Sequence, residues 1–345
     1  MCYVKKCWFG IILNKNITIS KNSLYIIFIG IILILIAGFR PIGIDGDSLN
    51  YASVLGVHLE NANFIDKEPT FWLINEFNHI VFNSEVQTFF LIFAIIGVSL
   101  KLYAIKILSI NPLMSILVYL SLYFILHEMT QIRVGVASAI FLLAIPDIIN
   151  KNFKIYLLKT IFAMSFHYSA FIMIFIYFLS NKRINQKVYY FLPLLGFVLS
   201  ILQNIILQII AMFATLLPAF IGDKVNLYIL LLDSGKFSDI NIFNFYYISL
   251  IVFYYIALMN YKKFNGIYDI LNIKILGIML FLFYSLSVIP VLAFRISEFF
   301  GVVLIFLIPN FIRIFKQKSF ISIPIIIWLT IYLFFIMILR NLNFQ

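Results

Sequence analysis

Residues 155–179 read IYLLKTIFAMSFHYSAFIMIFIYFL, an apolar run interrupted near its middle by Ser165, Phe166 and His167. A single crossing by this run would carry Lys182, Arg183 and Lys187 to the side opposite Lys151 and Lys154. Cytoplasmic loops of membrane proteins collect Lys and Arg, so splitting this basic cluster opposes the insertion signal. The alternative is a re-entrant pair, rising over 155–166 and falling over 168–179. Each arm is then about 18 Å long at ~1.5 Å per residue, short of a ~30 Å hydrocarbon core. Such a pair turns at His167 inside protein or water, because irregular backbone at membrane depth must find hydrogen-bonding partners away from lipid. The spacing predicts this re-entrant helix pair, with a tenth full crossing as its rival.

Working outward, further apolar runs occupy 24–39, 86–100, 112–126, 134–150, 188–206, 244–260, 272–292, 299–312 and 320–339. With 63% hydrophobic and 11% charged residues among 345, one water-soluble core cannot hold the apolar surface. The expected fold class is all-α, a polytopic transmembrane helical bundle of nine to eleven spans forming a single domain over 1–345. Its main non-membrane segments are the outer loops 40–85 and 218–243, and 207–217 is an alternative interfacial helix. With the re-entrant pair in place, 18 of the 25 Lys and Arg fall on the side of the N-terminus and 12 of the 14 Asp and Glu on the other. That count puts the N-terminus in the cytoplasm and the C-terminus outside. It also accounts for the net charge of +11 without nucleic acid as a partner. Cys2 and Cys7 lie in the basic head, where they stay reduced and build no metal cluster. Leu24–Phe39 has no small-residue cleavage site behind it and reads as a retained span. Richness in Ile, Phe, Tyr, Asn and Lys points to an AT-rich bacterial genome.

The two cations distribute differently. Three of 19 lysines (Lys67, Lys224, Lys236) but four of six arginines (Arg40, Arg133, Arg295, Arg340) are expected outside. Arginine is the side chain suited to multidentate phosphate binding. The outer segments hold polar clusters of their own. Asp47 opens Asp47-Ser48-Leu49-Asn50-Tyr51, as a helix N-cap or as a carboxylate at the mouth of a cavity. Glu68-Pro69 starts an amphipathic stretch over 70–82. His127-Glu128-Met129-Thr130-Gln131-Ile132-Arg133 opens the fourth span, read as one helix with Thr130 and Arg133 on one face and His127 and Gln131 on another. Gly135, Ala137, Ser138 and Ala139 follow, small residues that permit close helix contact. His167 is either a packing histidine or a general base. Arg295 and Glu298, three apart, pair with each other or face a common site. No phosphate-binding loop, zinc-protease, nucleophile-elbow or dinucleotide motif is present in the sequence.

In this order the clusters resemble the EpsG branch of the Wzy-like bacterial polysaccharide polymerases, over roughly residues 40–310. The resemblance is carried by Asp47-x-x-x-Tyr51, Glu68-Pro69, Gln131-Ile132-Arg133-x-Gly-x-Ala, Phe166-His167-Tyr168-Ser169, and Arg295 ahead of Phe299-Phe300. Ser48 stands where members of the family often have an aromatic residue. The resemblance implies a GT-C-like, inverting, metal-independent glycosyltransferase at the outer face of the bacterial cytoplasmic (inner) membrane, with no cofactor and no metal. Such an enzyme moves a growing glycan from undecaprenyl pyrophosphate to the non-reducing end of a lipid-linked repeat unit. Its product is an O-antigen, capsule or exopolysaccharide, and a chain-length regulator is a further expected partner. On this reading Arg133, Arg295 and Arg40 form the pyrophosphate clamp, and Asp47 or His167 is the base. Tyr51, Glu68, Gln131 and Glu298 orient or bind sugar. The rival functions are a flippase for the same lipid-linked oligosaccharide, or a transferase that adds single sugars from a polyprenyl monophosphate.

Overall fold

A computed structural model of the protein describes residues 21–64, 67–181, 183–216 and 240–342, with a few positions between 217 and 239. The basic head with Cys2 and Cys7, most of the loop 218–243, Asp66 and Lys182 lie outside the described residues. The chain begins with α1 (Lys21–Gly38), the single-turn α2 (Ser48–Ala52), α3 (Pro69–Phe82) and α4 (Val86–Leu108). Next comes α5 (Pro112–Tyr119), which continues as a π-helix over Leu120–Thr130 and is followed by α6 (Ile132–Ile149). After α7 (Phe153–Phe166) come a short 3₁₀ segment (Tyr168–Ile172), α8 (Met173–Ile176), α9 (Gln186–Ile201) and α10 (Gln203–Ala214). The rest is α11 (Phe245–Met259), α12 (Asp269–Ser285), α13 (Pro290–Gly301), α14 (Leu304–Arg313) and α15 (Lys318–Leu342). No strand occurs among the described residues.

Local chemistry sets several helix starts. The side chains of Asn111, Asn185 and Asn244 accept from the backbone N–H groups of Met114, Val188 and Tyr247, satisfying donors that a helix N-terminus leaves open. Pro69, Pro112 and Pro290 occupy first-turn positions, where a missing N–H costs nothing.

Among the described residues, four helices are long and apolar enough to cross a membrane: 86–108, 112–130, 132–149 and 318–338. The pair α13 and α14, bent by 50°, makes a fifth if it is one span. The expected nine to eleven spans therefore exceed what length and hydropathy support among the described residues. Breaks account for much of the difference. The span expected at 272–292 ends at Ser285, and Pro290 begins a new helix. The span expected at 188–206 breaks at Leu202, between α9 and α10.

Two reversals position the site. The first is at His167, whose extended backbone (φ −155°, ψ 120°) ends α7. Tyr156 Oη donates to the carbonyl of Met173 at 2.7 Å, and the rings of Phe153 and Tyr177 stand 5.0 Å apart. A straight helix would hold residues 156 and 173 about 25 Å apart. The chain therefore doubles back at the point where the sequence places the turn. Both flanks reach one end of the bundle, with Lys159 on Asp147 at 2.7 Å and Asn181 bonded to the backbone of Ile267 and Leu271.

The second reversal is at Gln131, and it corrects an expectation. Ser138 Oγ lies 3.3 Å from His127 Nδ1, although eleven residues of unbroken helix would span about 16 Å. The chain turns through one residue, so His127 to Arg133 is a hairpin tip and not the opening of a single helix. The shared faces read from helical spacing do not exist. Gly135 permits the turn, because a Cβ there would overlap the carbonyl oxygen of His127.

Lys101 is a second correction. It is one of the 18 Lys and Arg that the sequence count puts on the side of the N-terminus, yet it is fully buried in α4, its Nζ bonded to Glu128 Oε1 at 2.7 Å and to the carbonyl of Gly135 at 2.6 Å. An isolated buried ammonium is prohibitive, but an ion pair with further hydrogen bonds is sustainable. Tyr119 Oη, 3.0 Å from the same carboxylate oxygen, completes the group.

Candidate functional site

Glu68 is the hub of the opposite end of the bundle. It precedes Pro69 in extended backbone (φ −74°, ψ 160°), and its carboxylate makes no capping bond to α3. Instead it is wholly buried and reaches three partners. Oε2 accepts from Arg133 Nη1, Oε1 lies 3.0 Å from His167 Nδ1, and Oε1 accepts from the backbone N–H of Tyr168 at 3.3 Å. Thr70 Oγ1 donates to the carbonyl of Ser165 at 2.5 Å, and Tyr168 Oη to that of Phe64 at 2.8 Å. The loop before α3 and the tip of the α7 reversal are thus stitched together around one carboxylate.

Arg133, in the first turn of α6, rises from the Gln131 reversal into this junction. Its guanidinium lies 5.8 Å from the ring centroids of both Tyr51 and Phe71, close enough for cation–π attraction. Its Nε has no hydrogen-bond partner among the described residues. Lys67 Nζ approaches the same two rings at 5.7 and 5.9 Å. Sequence reasoning had passed Lys67 over as one of three outer lysines.

Asp47 occupies the N-cap position of α2 but makes no capping bond. That duty falls to Asp45, whose Oδ1 accepts from the N–H groups of Asp47 and Ser48 at 3.1 and 2.9 Å. Ser48 is fully buried, its Oγ accepting from Gly43 N–H and donating to the Asp45 carbonyl, so the loop has no room for an aromatic residue there. The Asp47 side chain is left facing the junction. Burial raises its carboxyl above the usual carboxylate range, and the nearby Arg295 and Arg133 hold it down in part.

Arg295 arrives on α13. One turn further on, Glu298 Oε2 accepts from Gln131 Nε2 at 2.7 Å, tying α13 to the Gln131 reversal. Asp47, Tyr51, Gln131, Arg133, Val134, His167 and Arg295 together line a narrow cleft of about 10 Å³. Of the nine sequence-derived site residues, six line it. Glu68 and Glu298 stand one bond behind it, on Arg133 and Gln131. Arg40 is the exception. It is buried, with Nε on Asp45 Oδ2 at 3.0 Å, Nη1 on the Ala37 carbonyl at 2.7 Å and its guanidinium 3.7 Å from the Phe90 ring centroid. It braces the loop that presents Asp47 and does not enter the cleft.

The EpsG family model matches residues 23–345. The chain belongs to the EpsG family. No curated protein and no solved structure matches it. The match agrees with the resemblance carried by the motifs above, and it covers every segment that contributes to the cleft. The EpsG family is of polysaccharide-polymerase type, consistent with a membrane-embedded protein that handles lipid-linked substrate.

Within this EpsG-family chain the cleft combines a carboxylate of raised basicity with two guanidinium groups, a hydrogen-bonding amide and a buried imidazole. Such a set can remove a proton from a hydroxyl and stabilise a leaving anion. No group of three His, Cys, Asp or Glu stands together among the described residues. Sequence reasoning missed the network behind the cleft. Lys101 bridges Glu128, at the end of the π-helix, and Gly135, in the first turn of α6. It thereby clamps the two arms whose junction carries Gln131 and Arg133. An eleven-residue π-helix at this place is itself a signal, since π turns gather at functional sites. The adjacent Glu128 and Lys101 were visible as charges within apolar runs, but nothing local connected them.

Proposed function

We propose that this chain is a polysaccharide polymerase. It transfers a growing glycan from undecaprenyl pyrophosphate to the non-reducing end of the next lipid-linked repeat unit. The observation that carries the reading is the convergence of Asp47, Arg133, His167 and Arg295 on one cleft from four separate segments of the chain.

In the reaction, a hydroxyl oxygen of the acceptor sugar attacks the anomeric carbon of the donor glycan. The bond from that carbon to the pyrophosphate oxygen breaks, and the pyrophosphate leaves with the electron pair. Arg133 and Arg295 hold the developing charge, and Lys67 adds a third cation behind the same aromatic rings. Arg133 has a fixed seat on Glu68, so it need not reorganise as the charge forms. The hydroxyl proton passes to Asp47 or His167. Asp47 is the favoured acceptor, because its carboxylate is not spent on capping and burial makes it more basic. His167, with Nδ1 turned to Glu68, is held in place beside it. A single displacement inverts the anomeric centre. At about 10 Å³ the cleft is far below the ~300–1,000 Å³ typical of small-molecule pockets, so its walls must part to admit the reacting groups while the remaining sugars lie outside.

We place the cleft at the outer face of the cytoplasmic membrane of a bacterium. The opposite end of the bundle carries Lys151, Lys154, Lys262, Lys263 and Arg313, which suits the cytoplasmic side. Deletion of the gene tests the function. A polymerase mutant keeps surface glycan capped with a single repeat unit. Loss of all surface glycan with lipid-linked units accumulating inside would identify a flippase instead.

A further inference from the structure

A lateral groove of about 220 Å³ lies between α11, α14 and α15, bordered by Val252, Phe253, Ile256, Phe311, Ile325 and Trp328. The one hydroxyl on its wall, Ser249 Oγ, is spent on the carbonyl of Tyr246 at 2.7 Å. Apart from the buried indole N–H of Trp328, which has no hydrogen-bond partner among the described residues, the wall is apolar, so the groove suits a hydrocarbon chain. On its outer side, only 6% of the apolar window of α15 is buried within the bundle, which leaves the groove open to the bilayer.

A chain of packed side chains runs from the wall of the groove to the wall of the cleft. Gln131 lines the cleft and donates to Glu298. The neighbouring Ser297 Oγ lies 2.5 Å from Tyr247 Oη, which sets the start of α11 at the level of the cleft. Tyr247 packs on Tyr246 at 5.1 Å. Tyr246 stacks on Tyr332 at 4.7 Å and, nearly parallel at 8°, on Trp328 at 6.3 Å. Trp328 is the groove's upper wall. From Ser249 to Ile256 the groove descends α11 by about 10 Å, away from the cleft and toward the middle of the membrane.

We propose that this groove holds the polyprenyl tail of the substrate whose pyrophosphate sits in the cleft. The proposal rests on the polymerase reading for the identity of that lipid. A tail hanging from a pyrophosphate at the cleft passes the Tyr246–Tyr332–Trp328 stack and lies along the groove, where flat rings suit the planar isoprene units. An ordinary phospholipid acyl chain would fit the wall but has no pyrophosphate to anchor it at the cleft.

The test uses full-length protein in nanodiscs and two probes, undecaprenyl diphosphate and the ten-carbon geranyl diphosphate, which is too short to reach past the stack. Val252 is exposed on the groove wall, so Val252→Trp fills the groove without disturbing the core. The expected result is about a tenfold loss of undecaprenyl diphosphate affinity, with geranyl diphosphate binding unchanged. Unchanged binding of the long probe, or equal loss for both, overturns the proposal. Ile256→Trp, from the same wall, repeats the measurement should Val252→Trp fail to fold. Polymerisation is scored separately. Selective loss of long-probe binding in a protein that makes no polymer supports the groove and rejects the polymerase.

Discussion

Replacing Glu68 by Gln removes one charge from a carboxylate that is wholly buried and shared by Arg133, His167 and the Tyr168 amide. Arg133 is 8% exposed, so its guanidinium loses its counter-ion with almost no water to replace it. Breaking a buried pair by deleting one partner costs about 3–5 kcal/mol, because the remaining charge stays desolvated. Arg133→Gln should cost a similar amount for the mirror reason, leaving Glu68 alone. The double variant Glu68→Gln/Arg133→Gln holds no buried charge at this point, and its two amides retain hydrogen bonding to each other and to Tyr168. It should be more stable than the sum of the single losses by at least about 2 kcal/mol, a coupling within the range for residues in direct contact. The assay is equilibrium unfolding in mixed micelles for the wild type, both singles and the double. Single losses under about 1 kcal/mol, or losses that simply add, would refute the claim that this pair is the hub of the site. Polymerisation should fail in all three variants, since the cation and the imidazole lose their common anchor.

Three further outcomes are expected. Asp47→Asn should abolish chain extension while leaving unfolding unchanged within about 0.5 kcal/mol, because Asp45 and not Asp47 caps α2; this is read by glycan gels alongside a melt. With Asp47 as the base, the rate should fall as pH drops through its raised pKa and Asp47 takes up a proton; the acidic limb of the pH–rate profile should therefore lie above the ~3.9 of an ordinary aspartate. Gly135→Ala should force the α6 turn away from the His127 carbonyl and cost about 1–3 kcal/mol as overpacking, with protein yield and melting temperature both falling.

The sequence announces its reversals unevenly. At His167 the polar run Ser165–Ser169 interrupts an otherwise unbroken apolar stretch, and the positive-inside rule decides between crossing and turning back. The reversal at Gln131 has no such marker. Neither Gly nor Pro stands at the turn, and helical spacing lets His127–Arg133 pass for one helix. What allows the turn is Gly135, four residues on, together with the unusual winding of the π-helix, and both depend on contacts between arms. Lys101 was misplaced for a related reason. Near the end of an apolar run a lysine reads as a cytoplasmic flank, and only the approach of Glu128, 27 residues later, makes its burial sustainable. Arginines expected outside were legible as a group, but not their division of labour. Arg40 turns inward onto Asp45, while Arg133 and Arg295 meet at the cleft, and this depends on where the short α2 helix sits. Glu68 read as a helix start and also as a candidate ligand; three partners from distant segments reveal its larger role.

The most direct test of the central claim is reconstitution of purified protein with a radiolabelled lipid-linked repeat unit of defined structure. The wild type should produce a ladder of extended glycans and release undecaprenyl pyrophosphate. Arg133→Lys and Arg295→Lys, each retaining charge but losing the planar fork, should bind lipid yet yield no ladder. Near-normal ladders from both variants would contradict the account.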